Sequence, residues 1–184
     1  SDLNSLPRRS PVEIESAERR VVIGPDGNVS DIRKRASLEA HKLIEEFMIQ
    51  ANVAAAEALE EKRSPLIYRV HDTPSQEKIQ SLADFLQTLG IPWNKGEAPT
   101  SRRYNQLLKE TRESPHAEII NEVVLRSQMQ AVYSDDNLGH FGLNLAKYAH
   151  FTSPIRRYAD LIVHRALIRA FGMGDDGLSD WDIK

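Results

Sequence analysis

At the front of the chain apolar residues stand between polar ones, Val12 and Ile14 first, then Val21 and Ile23. That period of two belongs to half-buried strands. Gly24-Pro25-Asp26-Gly27-Asn28 is dense in turn formers, so Val29 to Ile32 is expected to return as the second strand of a small hairpin. From Ser37 the period lengthens. Ser37 is placed to cap a helix carrying Ala40, Leu43, Ile44, Phe47, Met48, Ala51, Ala55 and Leu59 at 3.6-residue spacing. Val53, Ala54 and Ala56 widen that stripe, which predicts burial on more than one side, and the helix should end near Glu61-Lys62-Arg63, ahead of Ser64-Pro65.

Leu66 to Val70 is short and β-prone and reads as a strand or extended link. Thr73-Pro74-Ser75-Gln76 has the outline of a capping box for a helix through Ile79, Leu82, Phe85, Leu86 and Leu89, stopped at Gly90. Thr100 opens a polar helix to about Arg112, with Tyr104, Leu107 and Leu108 facing inward. Ser114-Pro115 opens another, with Ile119, Ile120, Val123, Val124, Met129 and Val132 as its core positions. Residues 134–142 form a turn-rich loop, and Leu143 to Tyr148 a brief helical segment. The last helix opens at Thr152-Ser153-Pro154 and carries Ile155, Leu161, Ile162, Ala166, Leu167 and Phe171 up to Gly172. The expected fold is α+β and mainly α-helical, an N-terminal β-hairpin followed by about five helices. A lone hairpin is rarely stable, so it is expected to pair into a larger sheet.

The start of that last helix carries the chemistry. Thr152 or Ser153 caps it, Pro154 fits its first turn, and Arg156 and Arg157 then fall inside that turn. Cations at the positive end of a helix cost a few tenths to about 1 kcal/mol each. An anion seated on the free N–H groups would reverse that cost, because both guanidinium forks would converge on it. Phosphate fits best. Tyr148, Phe151 and Tyr158 stand nearby, and arginine with aromatic rings is equipment for single-stranded nucleic acid. The ordinary alternative is two surface arginines, with Arg156 bridging Asp160 at i,i+4.

Composition narrows the rest. With 24 Lys plus Arg against 27 Asp plus Glu, the chain has no overall basic coat, so any nucleic-acid site must be focused. There are no cysteines, which excludes disulfides, thiolate metal sites and cysteine nucleophiles. No apolar run is long enough to span a membrane and the first residues do not form a signal peptide, so a soluble cytoplasmic protein is expected. His140, His150 and His164 lack metal-ligand spacing. Asp175, Asp176, Asp180 and Asp182 lie in a Gly-containing tail that reads as an unstructured acidic linker in preference to a metal site.

The run His150-Phe151-Thr152-Ser153-Pro154-Ile155-Arg156-Arg157-Tyr158, followed by Asp160, Leu161, His164 and Arg165, closely resembles the signature of the ribonuclease II and ribonuclease R family in its RNB catalytic domain. Ala40 to Ala55 resembles the family's long helix. Tyr68-Arg69-Val70-His71-Asp72-x-Pro74 and Gly139-His140-Phe141-Gly142-Leu143 match further blocks in order, and the likeness is to ribonuclease R more than to ribonuclease II. On that basis residues 1–9 read as a start segment or linker, residues 10–173 as the C-terminal portion of the RNB domain, and residues 174–184 as a linker toward a missing C-terminal domain.

The resemblance implies a processive exoribonuclease that works from RNA 3′ ends and releases nucleoside 5′-monophosphates, using divalent metal, usually Mg²⁺. It implies that Arg156 contacts phosphate near the scissile bond and that Glu46 contacts the terminal nucleotide. Thr152, Ser153, Arg157 and Tyr158 are expected as supporting RNA contacts. The resemblance also implies metal-binding aspartates in an Asp-x5-Asp-x-Asp-Asp pattern, and this sequence contains no such pattern. The expected partners are therefore a single-stranded RNA 3′ end and the remainder of the same polypeptide, the upstream RNB half and OB-type domains. The 184-residue chain by itself is expected to hold no Mg²⁺, to have little or no nuclease activity, and to bind RNA weakly. The alternatives are a degenerate homologue that binds RNA without cutting it, and a helical interaction domain with surface arginines.

Overall fold

The structure is a computed structural model that describes residues 10–14, 19–34 and 39–183. Strands β1 (Arg19–Ile23) and β2 (Val29–Lys34) pair antiparallel around a turn in which Gly27 takes a φ of 78°. Val12 and Ile14 are not part of that sheet. They lie in extended chain packed on a helical core, with the Val12 N–H bonded to the Gly142 carbonyl at 2.9 Å. Among the described residues β1 and β2 pair only with each other, so the larger sheet is not formed here.

Helix α1 (Glu39–Glu61) is the long helix the periodicity predicts; its proposed cap, Ser37, lies outside the described residues. Its burial is uneven. Ala56 and Leu59 are fully buried, yet Leu43, Ile44, Phe47 and Met48 in the first half stay exposed, contrary to the expectation of burial all along the stripe.

Helix α2 (Gln76–Thr88) follows strand β3 (Tyr68–Val70), and its cap falls at Ser75, whose hydroxyl accepts the Lys78 N–H. The expected cap two residues earlier fails because the Asp72 carboxylate takes both the N–H and the hydroxyl of Thr73 into a local turn. Helix α3 (Ser101–Thr111) is capped by Thr100 as its sequence predicts. Helix α4 (Ala117–Ser127) is shorter than the apolar pattern suggests. Lys78 reaches across from α2 and donates to the carbonyls of Arg126 and Gln128, satisfying the open end of α4. Met129 and Val132 are therefore not helical. Val132–Ser134 forms β4, which pairs antiparallel with β3.

The predicted helix over Leu143 to Tyr148 is also absent. Phe141 to Asn144 make a turn, closed by mutual backbone bonds between His140 and Leu145. Helix α5 (Tyr158–Phe171) ends at Gly172, whose φ of 63° suits the left-handed stop.

Two apolar cores result. One joins α1, β3 and α5 through Ala56, Leu59, Val70, Val163 and Ala166; the other joins α2, α3 and α4 through Leu86, Tyr104, Leu107, Ile120 and Val124. The tail after α5 is not loose, as its composition suggested. Leu178 is 5% exposed in the first core, Arg169 binds the Leu178 carbonyl and Asp180, and Arg165 binds Asp182.

Candidate nucleic-acid interface

The signature run is a shaped loop, not the first turn of a helix. The N–H groups of Arg156 and Arg157 both reach back to the Ser153 carbonyl, and α5 begins only at Tyr158, with Arg157 as its cap residue. This corrects the helix-start geometry expected from Thr152-Ser153-Pro154. Pro154 and the turn after it hold the chain away from the helix for several residues.

Asn52 supports the loop from α1. It is 3% exposed; its amide donates to the Tyr148 hydroxyl at 2.9 Å, and its carbonyl oxygen accepts the N–H groups of Phe151 at 2.8 Å and Thr152 at 3.1 Å. His164 supports it from α5, donating from Nε2 to the Phe151 carbonyl at 2.9 Å while its ring stacks on Phe151 at 4.2 Å. Asp160, wholly buried, accepts the Ser153 N–H at 2.7 Å and takes the Arg157 guanidinium in a two-pronged pair. Burial alone would raise the Asp160 carboxyl, but Arg157 and the Ser153 N–H hold it below the usual carboxylate value.

That pair divides the two arginines. Arg157 is compensated inside the protein, and the i,i+4 bridge from Arg156 to Asp160 does not form. Arg156 is exposed, makes no ion pair among the described residues, and has one long contact to the Ser153 hydroxyl at 3.4 Å. Tyr158 is 75% exposed beside it. Tyr148 is buried and Phe151 half-buried, so neither offers a free stacking face.

A cleft of about 410 Å³ lies between α1 and this loop, with Glu45, Met48 and Asn52 on one wall and Tyr148, Thr152 and Arg157 on the other. Thr152 Oγ1 is buried at this wall and has no hydrogen-bond partner among the described residues. Glu46 is not part of the lining; it accepts a bond from Gln50 at 2.9 Å. The structure thus brings Thr152, Ser153, Arg156, Arg157 and Tyr158 together, and sets Glu46 one position round the helix from the cleft wall.

Two histidines near the loop, His150 and His140, are held neutral. Burial, then the positive charge of Arg157, pushes His150 down to about 4. Burial, then His71, pushes His140 down to about 4. The Nδ1 atoms of His71 and His140 accept the N–H groups of Gly142 and Leu143, a role only an unprotonated nitrogen can play. Among the described residues no three His, Asp or Glu side chains converge to hold a metal ion. Asp160 and Asp182 are already paired with Arg157 and Arg165, and Glu45 is the one carboxylate among the described residues lining the cleft. These residues do not fit a Mg²⁺ site.

The family model described as the RNB domain matches residues 8–172. The chain belongs to the RNB-domain family. It is 44% identical over 159 residues to ribonuclease R of Vibrio cholerae, covering 86% of this chain and 19% of that protein. It is 41% identical over 160 residues to ribonuclease R of Thermotoga maritima, covering 87% of this chain and 22% of that protein. The chain thus spans about a fifth of the length of these curated relatives. Among solved structures, Mycoplasma genitalium RNase R in complex with double-stranded RNA matches with a TM-score of 0.80 and 33% identity, over 94% of this chain and 31% of that one. Yeast Ssd1, described as a pseudonuclease, matches with a TM-score of 0.62 and 25% identity, over 78% of this chain and 18% of that one. The fold of this chain is therefore similar both to that of a protein named RNase R and to that of one described as a pseudonuclease.

Sequence reasoning missed Asn52, His164 and the Arg157–Asp160 pair as parts of this site. One signal was available for Asn52, a polar residue on the face of α1 that carries Ala55, Ala56 and Leu59 into the core.

Proposed function

We propose that this chain is the C-terminal portion of the catalytic domain of a processive 3′-to-5′ exoribonuclease, and that it supplies the grip on the RNA phosphate. The supporting observation is the contrast between the two signature arginines. Arg157 is spent on buried Asp160, while Arg156 stands exposed with no carboxylate partner among the described residues. An exposed guanidinium on a loop anchored by Asn52, His164 and Asp160 is a preorganised phosphate donor. In this reading Arg156 contacts the phosphate, Tyr158 offers a base a stacking face, Thr152 and Ser153 offer hydroxyls, and Glu46 contacts the terminal nucleotide. Arg157 positions the loop.

The Mg²⁺ that the family resemblance implies does not fit the described residues, so no hydrolytic step is assigned to them. The partners are a single-stranded RNA 3′ end and the remainder of a longer polypeptide with its OB-type domains. The test is fluorescence anisotropy with a 5′-labelled single-stranded oligoribonucleotide across a salt series. Arg156→Ala should weaken binding and lower the slope of log affinity against log salt by about 0.7, the share of one phosphate on a single strand. Unchanged affinity and slope would sink the reading.

The likeness to Ssd1 favours a second reading, a non-catalytic RNA-binding module. The two are separated by Mg²⁺-dependent release of mononucleotides from the complete natural polypeptide. The isolated chain should release none in either case.

A further inference from the structure

We propose that Arg69 and Tyr133, on the outward face of the β3–β4 pair, form a second RNA contact that binds a nucleotide adjoining the one held at Arg156. This rests on the phosphate-grip reading above and extends it to a part of the chain outside the signature run.

The placement follows from strand geometry. Tyr68 and Val70 are 8% and 2% exposed, so the alternation of a strand turns Arg69 away from the core. Arg69 is the register partner of Tyr133, and directly paired residues share a face. The Arg69 guanidinium lies 4.9 Å from the centre of the Tyr133 ring, and Tyr133 as a residue remains 44% exposed. The Tyr133 hydroxyl is bonded at 2.9 Å to Nδ1 of His150, the first residue of the signature run, and the two rings meet edge to face. The hairpin surface is therefore joined to the signature loop through His150.

The charge balance points the same way. Arg69 has no carboxylate partner in an ion pair among the described residues, and Arg156 has none either. After burial and Arg157, with Asp160 opposing, the charges of Arg69 and Arg156 both disfavour protonation of His150, the residue that the Tyr133 hydroxyl binds. Two uncompensated arginines beside an anchored, exposed tyrosine match what a single strand presents, consecutive phosphates with bases free to stack. A purely structural cross-strand pair would need neither the exposure of the ring nor the lack of a carboxylate.

The experiment uses the 184-residue chain and a 5′-labelled oligoadenylate, titrated by anisotropy at several salt concentrations. Arg69→Ala should weaken binding several-fold and lower the salt slope by about 0.7, whereas Arg69→Lys keeps the slope. Tyr133→Ala should weaken binding about tenfold, and Tyr133→Phe, which keeps the ring and loses only the His150 bond, should stay close to wild type. Circular dichroism melts of each variant separate loss of contact from loss of fold. Photocrosslinking with 4-thiouridine near the 3′ end should put an adduct on the peptide containing Tyr133. If Arg156→Ala weakens binding while folded Arg69→Ala and Tyr133→Ala do not, the second contact is wrong and the phosphate grip stands. If the wild-type chain binds no RNA at low salt, or Arg156→Ala changes nothing, both fail together.

Discussion

The Arg157 guanidinium holds the Asp160 carboxylate with two bonds, Nε to Oδ2 at 2.8 Å and Nη2 to Oδ1 at 2.9 Å, and Asp160 has no exposed surface. Removing one member leaves the other charge buried and alone. Arg157→Ala should destabilise the chain by about 3 kcal/mol, the lower end for a broken buried pair because Arg157 keeps some contact with water. Urea denaturation measures the loss. A change under about 0.5 kcal/mol would show that the pair does not hold the loop.

Asn52→Leu should cost about as much for a different reason. The substitution keeps the volume and strands three partners, the Tyr148 hydroxyl and the N–H groups of Phe151 and Thr152. The loop carrying Arg156 then loses its anchor on α1, so RNA affinity should fall along with stability. Wild-type affinity in a folded Asn52→Leu chain would mean the loop is shaped without α1.

Stability should also fall with acid in two stages. His140 and His150 sit near 4 in the folded chain against an ordinary 6.5. The unfolded chain therefore binds protons that the folded chain refuses, and stability is lost as pH falls from about 6.5 toward 4. Glu60, held below its ordinary value by Lys147 and the Tyr68 hydroxyl, and Asp160 add a second loss at lower pH. Urea midpoints at about pH 7.5 and about pH 5 should differ clearly, and His150→Gln should narrow the gap. Equal midpoints would contradict the neutral histidines.

Leu178 tests the docked tail. Leu178→Ala should cost about 2 to 4 kcal/mol if the side chain belongs to the core it touches. It should also open the Arg165 and Arg169 contacts, so that trypsin cuts there sooner than in the wild type. An unchanged melting temperature would return the tail to the status of a linker.

The helices were legible because their information is local. Thr100 announces α3, Gly90 and Gly172 announce the ends of α2 and α5, and the front hairpin follows from its turn residues. The missed end of α4 has a cause distant in sequence. Lys78 ends α4 early and releases Val132 to pair with Val70, which no local period could signal. The start of α5 moved because Ser153 spends its N–H on Asp160 and its carbonyl on Arg156 and Arg157. At the site, the sequence grouped the signature residues in one run, and the structure places them on one loop. Which arginine pairs with Asp160 was not legible, since choosing between Arg156 and Arg157 takes three-dimensional geometry.

The pairing of Val70 with Val132 makes the three helices α2, α3 and α4 an excursion between two adjacent strands. Closing a loop of about sixty residues is entropically slow unless the loop has already shortened itself. The helical excursion can do this from local contacts, after which its two ends lie side by side and β3 meets β4 at little further cost. Refolding should then be governed by the α2–α4 block, with Leu86→Ala slowing it and Val70→Ala chiefly hastening unfolding. By the same geometry, this block is where such a chain could gain or lose a whole module in evolution without disturbing the loop that carries Arg156.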